Sequence, residues 1–253
     1  MSIRVCLTGR VSLEVDGEVL LNESDLRGKQ GRLVFAYLVS ERIRPVTKEE
    51  LATVVWEDDL SPAWEGALSA LTSRLRSHLL KTPLVESRVY FARSSGQYQL
   101  GLPTDVWIDV EAVASSVDRA EAHIRNGKPE QVLGPAGAAV CIARRPFLPG
   151  IEGFWVDSVR GKLQRQLGRA LDCLSESQLL LGEPMVAVET ATEAIRLDTL
   201  REKAYQLLMQ ANCAIGNRAE AVRVYHQFRE LLADQTGTDP SEQTEAIYMG
   251  LLG

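Results

Sequence analysis

The sequence predicts an α+β protein that is mainly α, with its strands confined to the N-terminal part of the chain. Alternating segments around an Asp16-Gly17 turn indicate short antiparallel strands near the N-terminus. Three stretches with helical apolar spacing and a second hairpin pattern follow, up to about residue 102. Beyond that point the pattern is helical, and part of it repeats with a period of 34 residues.

Size and composition are those of a globular protein with two domains. The chain has 253 residues, of which 45% are apolar and 25% charged. We predict domains at residues 1–102 and 103–253. No run of 18 apolar residues occurs, the first residues lack the apolar core of a signal peptide, and the four cysteines are widely separated. We therefore expect a cytoplasmic protein that does not bind membranes.

Two helices are predicted after the first strands. The stretch GKQGRLVFAYLVSE has apolar residues at helical spacing and predicts a helix with a buried face. In PVTKEELATVVW, Thr47 is the expected N-cap and Glu50 completes a capping box. Val46 and Leu51 occupy the two positions of a hydrophobic staple. A second helix is therefore predicted to begin at this point.

A third helix is predicted over residues 62–80, with Ser61 as its cap and Pro62 at its first position. At 100° per residue, four leucines fall within about 80° of one another and form a buried stripe: Leu68, Leu71, Leu75 and Leu79. The opposite side carries small residues, with Arg74 and Arg76 on its flanks: Gly66, Ser69, Ala70, Ser73 and Ser77. Small side chains allow a close approach, and two guanidinium groups suit phosphates or guanine edges.

Basic residues cluster locally in an acidic chain. Residues 1–103 hold 13 basic and 13 acidic residues, whereas residues 104–253 hold 15 and 21, which accounts for the net charge of −6. Between residues 74 and 93, however, five basic residues stand against Glu86 alone. Arg88 and Arg93 of this cluster lie in VESRVYFARSSGQYQL, which predicts two strands around a Ser-Ser-Gly turn. The acidic half is not expected to bind nucleic acid.

The order of strands, three helices and a hairpin is that of a winged helix-turn-helix. In this arrangement the third helix enters the major groove of DNA, and the hairpin reaches the adjacent backbone or minor groove. The alternative is that Arg74 and Arg76 are solvated cations on an ordinary surface helix. The pattern alone leaves both interpretations open.

The second part of the chain is predicted to consist of helical repeats. A helix is expected to start near Thr104 or Asp105, after GLP. GEPMVAVETATEAIRLD, from Gly182, aligns with GNRAEAVRVYHQFRELL, from Gly216, at the spacing of a tetratricopeptide unit. A weaker copy begins near Gly127. Such arrays usually bind proteins on an extended surface, and the alternative is a plain helical bundle without a groove.

Motifs for catalysis, metal binding and cofactor binding are not found. HExxH, GxSxG, CxxC and phosphate-binding glycine loops do not occur, and the three histidines (His78, His123 and His226) are scattered. The acidic Glu57-Asp58-Asp59 run is interpreted as a solvated loop or a contact for a basic partner and not as a metal site, because hard cations need more oxygen ligands from several segments. We therefore expect no enzyme activity, no cofactor and no metal.

Four N-terminal motifs carry a resemblance to a known family: LRGKQGRLVFAYLVSE, VTKEELATVVW, LSALTSRLRSHL and SSGQYQLGLP. They resemble the OmpR/PhoB-type winged helix in the version found in the Streptomyces antibiotic regulatory protein family of transcription activators. FLPGIEGFWVDSVRGKLQ and the stretch from Gly216 to Tyr248 resemble the bacterial transcriptional activator domain that follows it in that family. The chain departs from the family at Ser77 and His78, where many members have a further basic residue.

The resemblance implies a regulator, most simply an activator, that binds repeats in double-stranded promoter DNA. It implies tandem binding on direct repeats and contact with RNA polymerase and its sigma factor. We expect the major groove to be contacted by Ser69, Ser73, Arg74, Arg76 and Ser77, and phosphates or the minor groove by Arg88 and Arg93.

Two further hypotheses stay open. One is a protein-interaction adaptor whose winged helix no longer binds DNA, motivated by the zero net charge of residues 1–103. The other is a helical domain that binds a small effector.

Overall fold

The computed structural model describes residues 2–80, 89–94 and 96–252. These residues form two compact units. The first unit comprises the chain up to Ala112 together with Arg145–Lys162, and the second comprises Val113–Arg144 and the chain from Leu163 onward. The domain boundary predicted between residues 102 and 103 stays a prediction.

A four-stranded sheet opens the first unit. Its strands are β1 (Ile3–Cys6), β2 (Ser12–Val15), β3 (Glu18–Asn22) and β7 (Trp107–Ile108). Their order is β3-β2-β1-β7, with β1 antiparallel to β2, β2 antiparallel to β3, and β7 parallel to β1. Asp16 and Gly17 connect β2 to β3 with positive φ angles of 50° and 89°, which confirms the predicted hairpin turn.

Three helices and a second sheet complete the winged helix. The helices are α1 (Gly28–Ser40), α2 (Lys48–Trp56) and α3 (Trp64–Leu80), and α1 packs against both others. The strands are β4 (Val46–Thr47), β5 (Tyr90–Ser94) and β6 (Gln97–Gly101), in the antiparallel order β4-β6-β5. The α+β fold class with an N-terminal winged helix-turn-helix is therefore confirmed.

The two helix starts predicted in this unit differ in outcome. At α2 the Thr47 hydroxyl accepts the N–H of Glu50 at 3.1 Å, and the staple residues Val46 and Leu51 are both buried, as predicted. At α3 the helix begins at Trp64 and not at residue 62. The reason is a turn at Ser61, whose carbonyl accepts the N–H of Trp64 at 2.9 Å while its hydroxyl accepts that of Ala63 at 3.3 Å.

Arg145–Lys162, which we call the return segment, is built into the core of the first unit. Phe147 forms a β-bridge with Thr8, and Leu148 donates its N–H to the Leu7 carbonyl at 3.0 Å. The Trp155 ring contacts Tyr37 and Phe147 edge to face, with centroid distances of 5.1 and 5.6 Å. Residues more than 40 positions beyond the β5–β6 hairpin, which we call the wing, thus complete the packing of the N-terminal sheet and of α1.

A buried carboxylate joins β1 to the next helix, α4 (Asp109–Arg125). Asp109 is fully buried and accepts the N–H groups of Leu7 and Thr8 and the Thr8 hydroxyl, each at 2.8 Å. Burial raises the pKa of this carboxyl group above its usual value. The helix start expected near Thr104 or Asp105 is wrong, because the residues just before Asp109 pair with β1 as strand β7.

The second unit consists of helices stacked in sequence order. Two helices are divided between the units: α4 belongs to the second unit from Val113 onward, and α6 (Phe154–Leu180) from Leu163 onward. The other elements of the second unit are a 3-10 turn, Pro129–Gln131, and the helices α5 (Leu133–Ala143), α7 (Pro184–Leu197), α8 (Glu202–Ala214), α9 (Arg218–Thr236) and α10 (Glu242–Leu252). Helix α8 packs between α7 and α9, and α10 packs against α8 and α9.

The predicted repeat is visible in the conformation and burial of equivalent residues. Gly182 and Gly216 precede α7 and α9 with φ angles of 78° and 83°. The alanines five positions later, Ala187 and Ala221, are both fully buried where neighbouring helices approach. The tetratricopeptide-like prediction for this half of the chain is confirmed.

Candidate nucleic-acid interface

Helix α3 has one buried side that anchors it to the winged helix. Leu68, Leu71, Leu75 and Leu79 are 1%, 6%, 3% and 4% exposed, which confirms the predicted leucine stripe. Thr72 is buried beside them, and its hydroxyl donates to the Leu68 carbonyl at 2.9 Å. Because this side holds the helix in place, the opposite side remains largely exposed.

The opposite side, which we call the recognition face, consists of Ser69, Ser73, Arg74, Arg76 and Ser77. All of these residues are exposed except Ser69, which is half-buried. The structure thus brings together on α3 five of the seven residues predicted to contact DNA. Of the other two, Arg93 lies exposed on β5, with its guanidinium 5.6 Å from the centre of the Tyr98 ring, and Arg88 lies outside the described residues.

Arg74 and Arg76 differ in their surroundings. The Nε of Arg74 donates to the Asp25 carbonyl at 3.1 Å, which connects Arg74 to the segment before α1. His78, one turn further on, approaches the Asp25 carboxylate at 3.6 Å. Within the described part of the chain, neither arginine forms an ion pair with a carboxylate, whereas Arg42 and Arg44 of the same unit do. The described residues therefore provide no carboxylate that neutralises the positive charges of the recognition face.

A groove of about 490 Å³ lies between the start of α1 and the first half of α3, and we call it the α1–α3 groove. It is lined by Arg27, Gly28, Lys29, Gln30, Ala67, Ala70 and Leu71. The side chains of Arg27 and Lys29 are exposed. No role was predicted for these two cations from the sequence, although three basic residues in six (Arg27, Lys29 and Arg32) are a sign of a basic surface.

The second unit has a groove of a different electrostatic character. It measures about 250 Å³, and its charged groups are paired with one another. Arg169 bonds to Glu121 at 2.7 Å, Lys203 approaches Glu176 at 3.0 Å, and Arg201 bonds to the wall residue Asp172 at 2.6 Å. A charged ligand would have to break one of these pairs before it could bind here.

The described residues contain no cluster of three or more side chains suited to metal binding. Two of the four thiols, Cys6 and Cys173, are buried, and burial raises the pKa of Cys173 to about 12. In the ranges that the structure covers, none of the helices combines the length and the apolar character that crossing a bilayer requires.

Comparison with known proteins gives one matching family model and several relatives. The model described as "Bacterial transcriptional activator domain" matches residues 108–252, more than half of the chain. The regulatory protein AfsR of Streptomyces griseus is 28% identical, over 99% of this chain and 24% of that protein. The transcriptional regulatory protein EmbR of Mycobacterium tuberculosis is 27% identical, over 97% of this chain and 62% of that protein. The chain therefore spans about a quarter of the one relative and less than two thirds of the other.

A solved structure shares the fold. It is that of Mycobacterium tuberculosis EmbR in complex with a low affinity phosphopeptide, with a TM-score of 0.84 and 22% sequence identity. The likeness covers 99% of this chain and 65% of that one. It shows that the fold is shared over nearly the whole chain.

Proposed function

The chain belongs to the family of the bacterial transcriptional activator domain, and from that membership we propose that it binds promoter DNA in a sequence-specific way through α3 and the wing. The match confirms the resemblance that the sequence motifs carried, to the Streptomyces antibiotic regulatory proteins. The chain is thus a transcription regulator and not an enzyme. Such a regulator acts in the cytoplasm, where bacterial promoters are.

The observation that carries the proposal is the recognition face of α3. A helix fits into the major groove when its outer side is narrow, and here that side is formed by serines with arginines among them. The guanidinium of Arg76 has no carboxylate partner among the described residues, so it can donate to the two acceptors on a guanine edge. Arg74 retains its two terminal nitrogens for the same purpose, because only its Nε is bonded to Asp25.

The wing supplies contacts that position the protein without reading sequence. Arg93 is exposed on β5 and suited to a phosphate or to the adjacent minor groove. Arg88 is assigned the same role from the sequence alone. These contacts add affinity for any duplex, and the bases are read by α3.

Activation itself is assigned to the helical unit. By the resemblance, this unit contacts RNA polymerase and its sigma factor and supports tandem binding of the protein on direct repeats. Its stacked helices support this assignment, because helical arrays of this kind present extended surfaces to other proteins.

Arginine substitutions on the recognition face test the proposal. We expect Arg76→Ala and Arg74→Ala each to weaken binding to a duplex from the promoter region next to the protein's own gene by about 1–3 kcal/mol if they remove bidentate base contacts. The preference for this duplex over an unrelated one should fall as well. Fluorescence anisotropy at moderate salt measures both. Arg218→Ala, at an exposed arginine of the second unit, is the matched control. Unchanged affinity in both recognition-face variants would show that α3 is not the reading element.

The adaptor hypothesis remains the second candidate, because residues 1–103 carry equal numbers of basic and acidic residues. The two candidates differ in the effect of salt. A DNA-binding protein releases counterions, so its affinity falls steeply as the salt concentration rises. An adaptor binds neither duplex even at low salt.

A further inference from the structure

We infer that the α1–α3 groove is a second DNA-contact surface, which binds the phosphodiester backbone beside the bases that the recognition face reads. This inference rests on the proposed function and extends it to residues outside α3 and the wing. It assigns Arg27 and Lys29 the role of phosphate contacts.

The groove and the recognition face share an edge. Ala67, Ala70 and Arg74 follow one another at helical spacing, so Arg74 lies directly beyond the groove wall that α3 provides. Arg74 also bonds to Asp25, two residues before Arg27, and so connects α3 to the segment that leads into α1. When α3 lies in the major groove of a duplex, the sugar-phosphate backbone that borders this groove therefore lies close to Arg27 and Lys29.

The charges of this segment are arranged so that the groove stays positive. Two of the four residues before Arg27 are acidic, and both carboxylates approach other side chains: Glu23 lies 3.6 Å from Arg32, and Asp25 lies 3.6 Å from the His78 ring. Among the residues that the structure describes, no carboxylate lies within ion-pair distance of Arg27 or Lys29. Arg27 and Lys29 are therefore exposed and unpaired among the described residues, although two acidic residues lie nearby. Such cations are suited to bind an external anion.

The open shape of the groove is suited to the phosphodiester backbone of DNA. It does not enclose a small charged molecule on all sides. Its α3 wall is formed by Ala67, Ala70 and the buried Leu71, and the short side chains of the two alanines leave the surface low and open. The groove of the second unit is the opposite case, because Arg169 and Lys203 are already paired with carboxylates there. Of these two grooves, the one that adjoins the recognition face is the one with free positive charge.

The double variant Arg27→Ala/Lys29→Ala tests the inference in the full chain. Wild type and variant are titrated with the promoter duplex and with a scrambled duplex of equal length, at NaCl concentrations from about 50 to 200 mM. Because phosphate contacts are independent of sequence, we expect the variant to lose affinity for both duplexes by the same factor. The slope of log K against log[NaCl] should become shallower by about 0.9 per lost contact, or nearly 2 in total.

The matched control is Lys128→Ala/Arg218→Ala, which removes the same charge from exposed positions in the second unit. An unchanged slope in the groove variant, or an equal change in the control, overturns the inference while the proposed function stands. A selective loss on the promoter duplex overturns it too, because the groove would then read bases. If wild type binds neither duplex at low salt, the proposed function and the inference both fail.

Discussion

Glu50 shows how much of the first unit depends on single polar residues. Its carboxylate accepts hydrogen bonds from Arg44 and, at 2.9 Å, from the Tyr37 hydroxyl, while its N–H is bound by the Thr47 cap. The bond from Arg44 is the main reason that the pKa of Glu50 falls to about 2. Burial, followed by the bond to Glu50, raises the pKa of Tyr37 to about 12. One carboxylate thus connects α1, α2 and the turn between them.

Glu50→Gln should therefore make folding stability less sensitive to acid. The pKa of Glu50 is lower in the folded protein than its ordinary value of 4.5, so the ionised carboxylate stabilises the fold above about pH 4.5. That contribution is lost as the pH falls toward 2. We expect wild type to be more stable than the variant at pH 7 and the difference to shrink at pH 3, as measured by urea unfolding.

Glu18→Gln is the control, because Glu18 is exposed and belongs to none of the ion pairs found in the described residues. A stability difference of the same size at both pH values would show that the ionised form of Glu50 does not matter.

For individual residues, the sequence predicted the helix face on which each one lies but not the residues with which it forms bonds. The 100° rotation per residue placed the leucines and serines of α3 on opposite sides, because this depends only on position within one helix. The bond from Arg74 to Asp25 joins residues 49 positions apart and depends on how α3 packs. No role was predicted for Arg27 and Lys29 for the same reason, since the groove exists only once α1 and α3 are adjacent.

The two sides of α3 have different roles: the buried side stabilises the fold, and the exposed side is the proposed recognition face. This difference can be measured. Leu75→Ala should cost about 2–5 kcal/mol of folding stability, because it removes a buried side chain from the leucine stripe. Ser77→Ala, on the exposed side, should change stability by no more than about 0.5 kcal/mol. Chemical denaturation checks both values. Equal effects in the two variants would mean that the exposed side is not free in solution.

Elements stabilised by local interactions were predicted better than those stabilised by distant ones. The Thr47 cap and the repeat that produces α7 and α9 depend on neighbouring residues, and both were predicted. Strand β7 was predicted as helix, because its two residues become a strand only by pairing with β1. The start of α3 was displaced by two residues, because Ser61 closes a turn before the helix begins.

For the molecule as a whole, the return segment matters most. The spacing of apolar residues changes from that of strands to that of helices near residue 102, and for this reason a domain boundary was predicted there. Nothing in that local pattern indicates that residues 145–162 come back to the first unit and bury Phe147, Leu148 and Ile151.

Truncation tests how much this return contributes. A fragment of residues 1–102 loses the Asp109 carboxylate, which leaves the buried N–H groups of Leu7 and Thr8 without their partner, and it also loses the return segment. We expect this fragment to unfold without cooperativity in thermal circular dichroism, whereas residues 1–162 unfold in a cooperative transition. Residues 1–112 restore Asp109 and strand β7 but not the return segment, and they therefore separate the contribution of the return segment from the rest. A cooperative transition of residues 1–102 at the midpoint of residues 1–162 would show that the return segment adds nothing to the winged helix.

The edge-to-face contacts of Trp155 with Tyr37 and Phe147 have a practical consequence. An indole that packs against two aromatic rings contributes to circular dichroism in the near ultraviolet. One of the two rings, that of Tyr37, belongs to α1. Part of the near-ultraviolet signal of the protein's four tryptophans therefore reports, without any attached dye, whether residues 145–162 are packed on the winged helix.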